Sequence, residues 1–142
     1  MGSEINETSY VKLEFKLRNF NMEVLFMEIR NARITDTFFG REDHGIFTFY
    51  IFVEFGGYGC GIGGYALDTY DKEKDKRYVC NESMEAISRI LETVGVDSWE
   101  KLKGQYIRVI DNGWGSTIDE IGNLMSDQWF NIREYFKSIQ ED

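Results

Sequence analysis

Residues 46–55 read Ile-Phe-Thr-Phe-Tyr-Ile-Phe-Val-Glu-Phe, and the next nine positions, 56–64, hold six glycines. No other stretch narrows the choice of folds as much. The first run is β-branched and aromatic almost throughout, which predicts a central strand covered on both faces. The second predicts a hairpin or bulged strand where backbone passes close to neighbouring side chains. It also admits a cradle of backbone N–H groups for a ligand. Within it, Gly59-Cys60-Gly61-Ile62-Gly63-Gly64 matches G-x-G-x-x-G, but the following residues look extended and open no helix, so the dinucleotide-binding context fails. The chain holds no Gly-Lys-Ser or Gly-Lys-Thr, which excludes a P-loop.

The remaining periodicities set the fold class. Strict alternation at 11–17 predicts a first strand, with Val11, Leu13, Phe15 and Leu17 on one side. Residues 22–37 are β-rich, best at 28–35, and 40–45 form a polar connection. Met84, Ile87, Ile90, Leu91 and Val94 make one helical stripe from about Ser83, capped by Asn81 or Ser83 and closed by Gly95. Asp97 with Glu100 starts a short second helix through Lys103. Residues 105–110 alternate as a strand, Asn112-Gly113 marks a tight turn, and 117–124 return antiparallel. Asn131 with Glu134 caps a terminal helix carrying Ile132, Tyr135, Phe136 and Ile139. The expectation is an α+β fold: an antiparallel sheet of five to six strands, a covering helix and a C-terminal helix. With 142 residues, 42% hydrophobic and 15% aromatic, the chain suits one ordered domain at 29–142, preceded by an N-terminal extension at 1–28 that carries the first strand.

Charge bears on partners. The formal charge is −9, and residues 111–142 hold seven acids against Arg133 and Lys137, so −5 of it lies there. That balance argues against direct nucleic-acid binding, which needs clustered Lys and Arg. It suits either a solubilising surface or a face for a basic partner. Trp114, between Gly113 and Gly115 on a turn, is a candidate anchor. Trp99 and Trp129 read as core or interface residues. His44 follows Arg41, Glu42 and Asp43, a titratable loop able to serve a site or simply to face solvent. Cys60 and Cys80 read as free thiols. Together with His44 and a carboxylate they would have to converge to bind zinc, and no metal-ligand spacing is present. Asp68, Asp71 and Asp111 are scattered carboxylates. The N-terminus shows no basic stretch followed by an apolar one and no segment long enough to span a bilayer, so the expected location is the cytoplasm.

Several motifs carry a resemblance: Glu42-Asp43-His44-Gly45-Ile46; Gly61-Ile62-Gly63-Gly64-Tyr65-Ala66-Leu67-Asp68; Gly95-Val96-Asp97-Ser98-Trp99-Glu100-Lys101-Leu102-Lys103-Gly104; and Ile121-Gly122-Asn123 with Asp127, Trp129 and Phe130. Over 29–136 the chain resembles a family of small bacteriophage and prophage proteins. The resemblance implies a phage setting inside a host bacterial cell, where small acidic proteins block host defence, anti-CRISPR proteins among them. It carries over no catalytic residue.

The expected function is therefore a non-enzymatic inhibitor of a host defence protein, such as a CRISPR effector. Asp119, Glu120, Asp127 and Glu134 would supply the electrostatics and Trp114 the anchor, with no cofactor, no metal and no membrane. Self-association stays open. One alternative is a binder that sequesters a nucleotide signal, with Gly57, Gly59, Gly61 and Tyr65 as cradle and Arg41 and His44 as countercharge; Tyr58 and Tyr65 would be its stacking rings. A second alternative is a metal-dependent nuclease using His44 and nearby acids.

Overall fold

The computed structural model describes residues 28–113 and 115–140. The alternating segment at 11–17, the rest of the N-terminal extension up to residue 27, and Trp114 lie outside the described residues. The elements run β1 (Glu28–Arg41), β2 (Phe47–Phe55), β3 (Tyr58–Gly63), β4 (Asp68–Asp71), β5 (Lys76–Val79), α1 (Asn81–Val94), a 3-10 turn (Trp99–Lys101), β6 (Tyr106–Asp111), β7 (Glu120–Gly122), β8 (Trp129–Asn131) and α2 (Ile132–Gln140). Six strands form an antiparallel sheet in the order β3-β2-β1-β6-β7-β8, and β4 with β5 makes a separate hairpin. The fold is α+β. Among the described residues no helix is long and apolar enough to cross a membrane.

Alternation places Ile34 and Ala32 of β1, Ile51 of β2, Ile107 of β6 and Ile121 of β7 on one face of the sheet. There they share a buried cluster with Ala86 and Ile90 of α1 and Phe136 of α2. Both helices therefore cover this inner face. Burial of such side chains, at about 1.5–3 kcal/mol each, is what holds the two layers together.

The expectation for β2 is corrected. It lies one strand in from the edge, not at the centre, and its outer face is covered only at the Thr48 end. Phe49, Ile51 and Val53 are buried, whereas Phe52 is 38% exposed and Glu54 faces solvent. Its outer rings rest on each other and on β3. Tyr50 stacks on Phe52 with centroids 5.8 Å apart, and Phe38 tilts against Tyr50 at 6.4 Å. A Cβ on Gly61 would come 3.3 Å from the Phe52 ring. The glycines of β3 thus leave a bare backbone for these rings to lie across, so an almost wholly apolar strand needs no second layer.

Helix boundaries follow the local chemistry, with three corrections. The residue preceding α1 is Cys80, without a side-chain cap, so neither Asn81 nor Ser83 caps the helix. Ser83 is instead buried and met by the Cys80 thiol. The stripe also rotates: Ser83 and Ala86 face the core while Met84 is exposed. The 112–119 connection is a longer loop than a tight turn. As expected, Gly95 ends α1 in the left-handed conformation, its N–H donating to the Leu91 carbonyl, and the Asn123 amide donates to the Thr93 and Val94 carbonyls. Asn131 caps α2 by accepting the Glu134 backbone N–H at 2.9 Å. We expect Asn131→Ala to cost about 1 kcal/mol, read as a lower urea midpoint at unchanged slope.

Candidate functional site

At the β1 N-terminal end of the sheet, the inner face stops being a core. The inward positions of β1 pass from Ile34 and Ala32 to Arg30 and Glu28, which the register sets beside Val109 and Asp111 of β6. Here a cavity of about 490 Å³ opens between Glu28, Arg30, Phe55, Tyr58, Cys60 and Asp111, with the loop residues Gly113, Gly115, Ser116 and Ile118 against it. Arg30 is held from two sides. Its Nε donates to Asp111 Oδ2 at 2.8 Å, and its Nη2 lies 3.2 Å from Glu28 Oε2. Asp111 Oδ1 accepts the Gly113 N–H at 3.0 Å, which ties the loop to the strand. The Phe55 ring lies beneath the guanidinium at 5.8 Å and meets Tyr58 at 6.4 Å. Burial, and then the Asp111 charge, push the Cys60 thiol up, which keeps it protonated.

The expected acidic residues divide around the adjoining corner. Asp119 faces Arg133 at 3.6 Å and accepts the Thr117 hydroxyl, so its charge is partly compensated. Glu120 pairs across the β7–β8 ladder with Asn131, and Glu134 lies one turn further on in α2. Asp127 is exposed in the turn at the other end of that hairpin. Glu120, Asp127 and Glu134 form no ion pair among the described residues. Ile118 lines the cavity and Asp119 and Glu120 follow it directly, so cavity and acidic corner adjoin.

The expected ligand cradle is not assembled. Gly59 lines the cavity, and Gly57 sits in the β2–β3 turn near it. Gly61 faces the opposite side of the sheet, under Phe52. Tyr65 stacks on Phe136 at 4.7 Å, and burial and Asp119 push its phenol up against the opposing charge of Arg133. Arg41 and His44 lie at the far end of β2, roughly 25 Å along the strand from Gly57. Arg41 is engaged there, donating to the Gly45 carbonyl and facing Asp68 at 3.9 Å. His44 is exposed. Among the described residues no three His, Cys, Asp or Glu side chains gather as a metal site. Cys60 and Cys80 are free thiols.

Glu28, Arg30 and Phe55 escaped the sequence reading. Their signal was phase: Ala32 and Ile34 of β1 point inward, so Arg30 and Glu28 must as well, and charge at core-facing positions marks a site. No protein-family model, curated protein or solved structure matches the chain.

Proposed function

We propose that this chain is a non-catalytic binding protein that docks a basic, nucleic-acid-handling partner through the acidic groups of β7, α2 and the β7–β8 turn. The role is the anti-defence one that the resemblance to phage proteins implies, with a CRISPR effector as one such partner. The observation that supports it is that Glu120, Asp127 and Glu134 form no ion pair among the described residues, in a chain already at −9. Uncompensated like charges steer an oppositely charged protein into encounter and make its association salt-dependent. The test is capture from bacterial lysate, with the captured protein then used for kinetics. Combining Glu120→Lys, Asp127→Lys and Glu134→Lys should slow association about tenfold at low salt and flatten its salt dependence. Unchanged rates at every salt concentration would end this reading.

A second reading, sequestration of a nucleotide signal, draws support from the cavity beside Gly59. A cyclic nucleotide that raises the melting temperature would favour it.

A further inference from the structure

The connection between β7 and β8, residues 123–128, is a surface loop with a fixed backbone. The Asn123 N–H closes it by donating to the Gln128 carbonyl at 2.9 Å. Arg108 of β6 reaches across it. Its Nε donates to the Asn123 carbonyl and its Nη2 to the Ser126 carbonyl, both at 2.8 Å. The guanidinium lies over the Trp129 ring at 4.7 Å. In a chain with 25 acids, this arginine forms no ion pair among the described residues; it is spent on the loop. Asn123 works from inside the turn. Its Oδ1 accepts the N–H groups of Met125 and Ser126 at 2.9 and 2.8 Å, and its Nδ2 donates to the Thr93 and Val94 carbonyls at the end of α1. Two side chains thus tie one loop to β6 on one side and to α1 on the other.

What this frame displays is Met125, 88% exposed, the most exposed large apolar side chain among the described residues. A lone exposed apolar side chain is ordinary. A rigid mount beneath it is not, because a backbone already fixed loses little further entropy on binding. Methionine is enriched at interfaces and adapts to irregular pockets. Asp127, two residues on, is exposed and forms no ion pair among the described residues. A protruding apolar side chain calls for a recess of the same kind, and the carboxylate beside it calls for a basic rim. From Glu120 to Met125 the hairpin runs at most roughly 17 Å. The loop and the acid of β7 therefore fit within one interface of about 800 Å² a side.

We propose that residues 123–128 form a preorganised docking tip, and that Met125 enters an apolar recess of the basic partner, with a Lys or Arg at the rim facing Asp127. This rests on the reading of the chain as a binder of a basic protein, and adds the contact that sets the lifetime of the complex. Charge at Glu120, Asp127 and Glu134 brings the partner in; burial of Met125 delays its departure.

The experiment uses the full chain carrying Met125→p-benzoylphenylalanine, irradiated in the bacterial lysate used for capture. Lys72→p-benzoylphenylalanine, at the exposed tip of the β4–β5 hairpin, is the control. The first chain should form an adduct with the captured protein, mapped to an apolar recess bordered by Lys or Arg, and the control none. Excess parent chain should suppress the adduct, and Met125→Ser should need about ten times the concentration to do so. With the captured protein purified, Met125→Ser should speed dissociation about tenfold and leave association within about twofold, as a neutral anchor requires. Arg108→Lys keeps the charge but not the grip on two carbonyls, and should speed dissociation about threefold. Absence of an adduct at Met125, suppression by Met125→Ser as strong as by the parent, or a parent-like dissociation rate for Met125→Ser would each overturn the inference. The two readings fail separately. If the triple reversal slows association while Met125→Ser changes nothing, the acidic groups stand and the tip falls. If Met125→Ser speeds dissociation while the reversal has no effect, the tip stands and the electrostatic reading falls.

Discussion

Gly63→Ala is expected to lower the unfolding free energy by about 3 kcal/mol or more, and the melting temperature by about 10 °C. Two independent costs meet at this position. The backbone has φ +113°, where an L side chain is strained by about 1–3 kcal/mol. The added Cβ would also stand 2.7 Å from the Phe49 carbonyl oxygen and 2.8 Å from the Phe49 ring. Phe49 is fully buried and the oxygen accepts the Gly64 N–H at 2.7 Å, so neither has room to give. Overpacking of that kind costs about 1–3 kcal/mol. Two neighbours in the same strand make the controls. Gly59 has ordinary φ and its nearest atom would be 3.8 Å away; Gly61 would press the Phe52 ring edge at 3.3 Å, and that ring is partly exposed. Gly59→Ala should lie within about 0.5 kcal/mol of the parent, with Gly61→Ala between the two. Equal effects at all three positions, measured by urea unfolding, would show that the glycines matter only through chain entropy.

That gradient also explains why the glycine-rich segment was only half legible. Local spacing told correctly that β3 is extended and that no helix follows, because both are properties of neighbouring residues. Which glycine serves which neighbour depends on β2, whose rings fill the places that the β3 side chains would take, and on register. The same limit applies to β2 itself. Its composition signalled a buried strand, yet Phe52 and Tyr50 point outward because a bare strand lies next to them. The part of the α1 stripe at Ile87, Ile90 and Val94, the Gly95 stop and the Asn131 cap were readable, since each is set within one or two helical turns, whereas Met84 at the start of the stripe faces solvent. The three-residue β8 and the β4–β5 hairpin were not. The first is too short to show alternation, and the second is dominated by the charged run 72–77 at its tip. At the candidate site the acidic tail was visible as charge. The cavity was not, because Arg30 and Asp111 meet across 81 residues of sequence.

The Asp68 carboxylate is the second place where a single substitution should act strongly. Its side chain is 1% exposed. Oδ2 accepts the Phe47 N–H at 3.2 Å, Oδ1 accepts from Arg77 Nη2 at 2.9 Å, and Arg41 lies at 3.9 Å. One buried group thus joins the start of β2, the β4–β5 hairpin and the turn after β1. Burial pushes this carboxyl up, but the bonds from Arg77 and Phe47, with the charges of Arg77 and Arg41, outweigh it and hold the acid below its usual range. Asp68→Asn should cost about 2–3 kcal/mol at neutral pH, since it leaves Arg77 facing a neutral group and the Arg77 Nε is already buried with no acceptor among the described residues. The pH dependence has a fixed sign. A carboxyl whose folded value is lowered stabilises fully above its unfolded value, and loses that contribution as pH falls through the folded one. The gap between the parent and Asp68→Asn should therefore be constant from about pH 5 to 8 and close only as acidification passes below the usual carboxylate range. A gap that persists unchanged in acid would mean that shape, not charge, holds this junction.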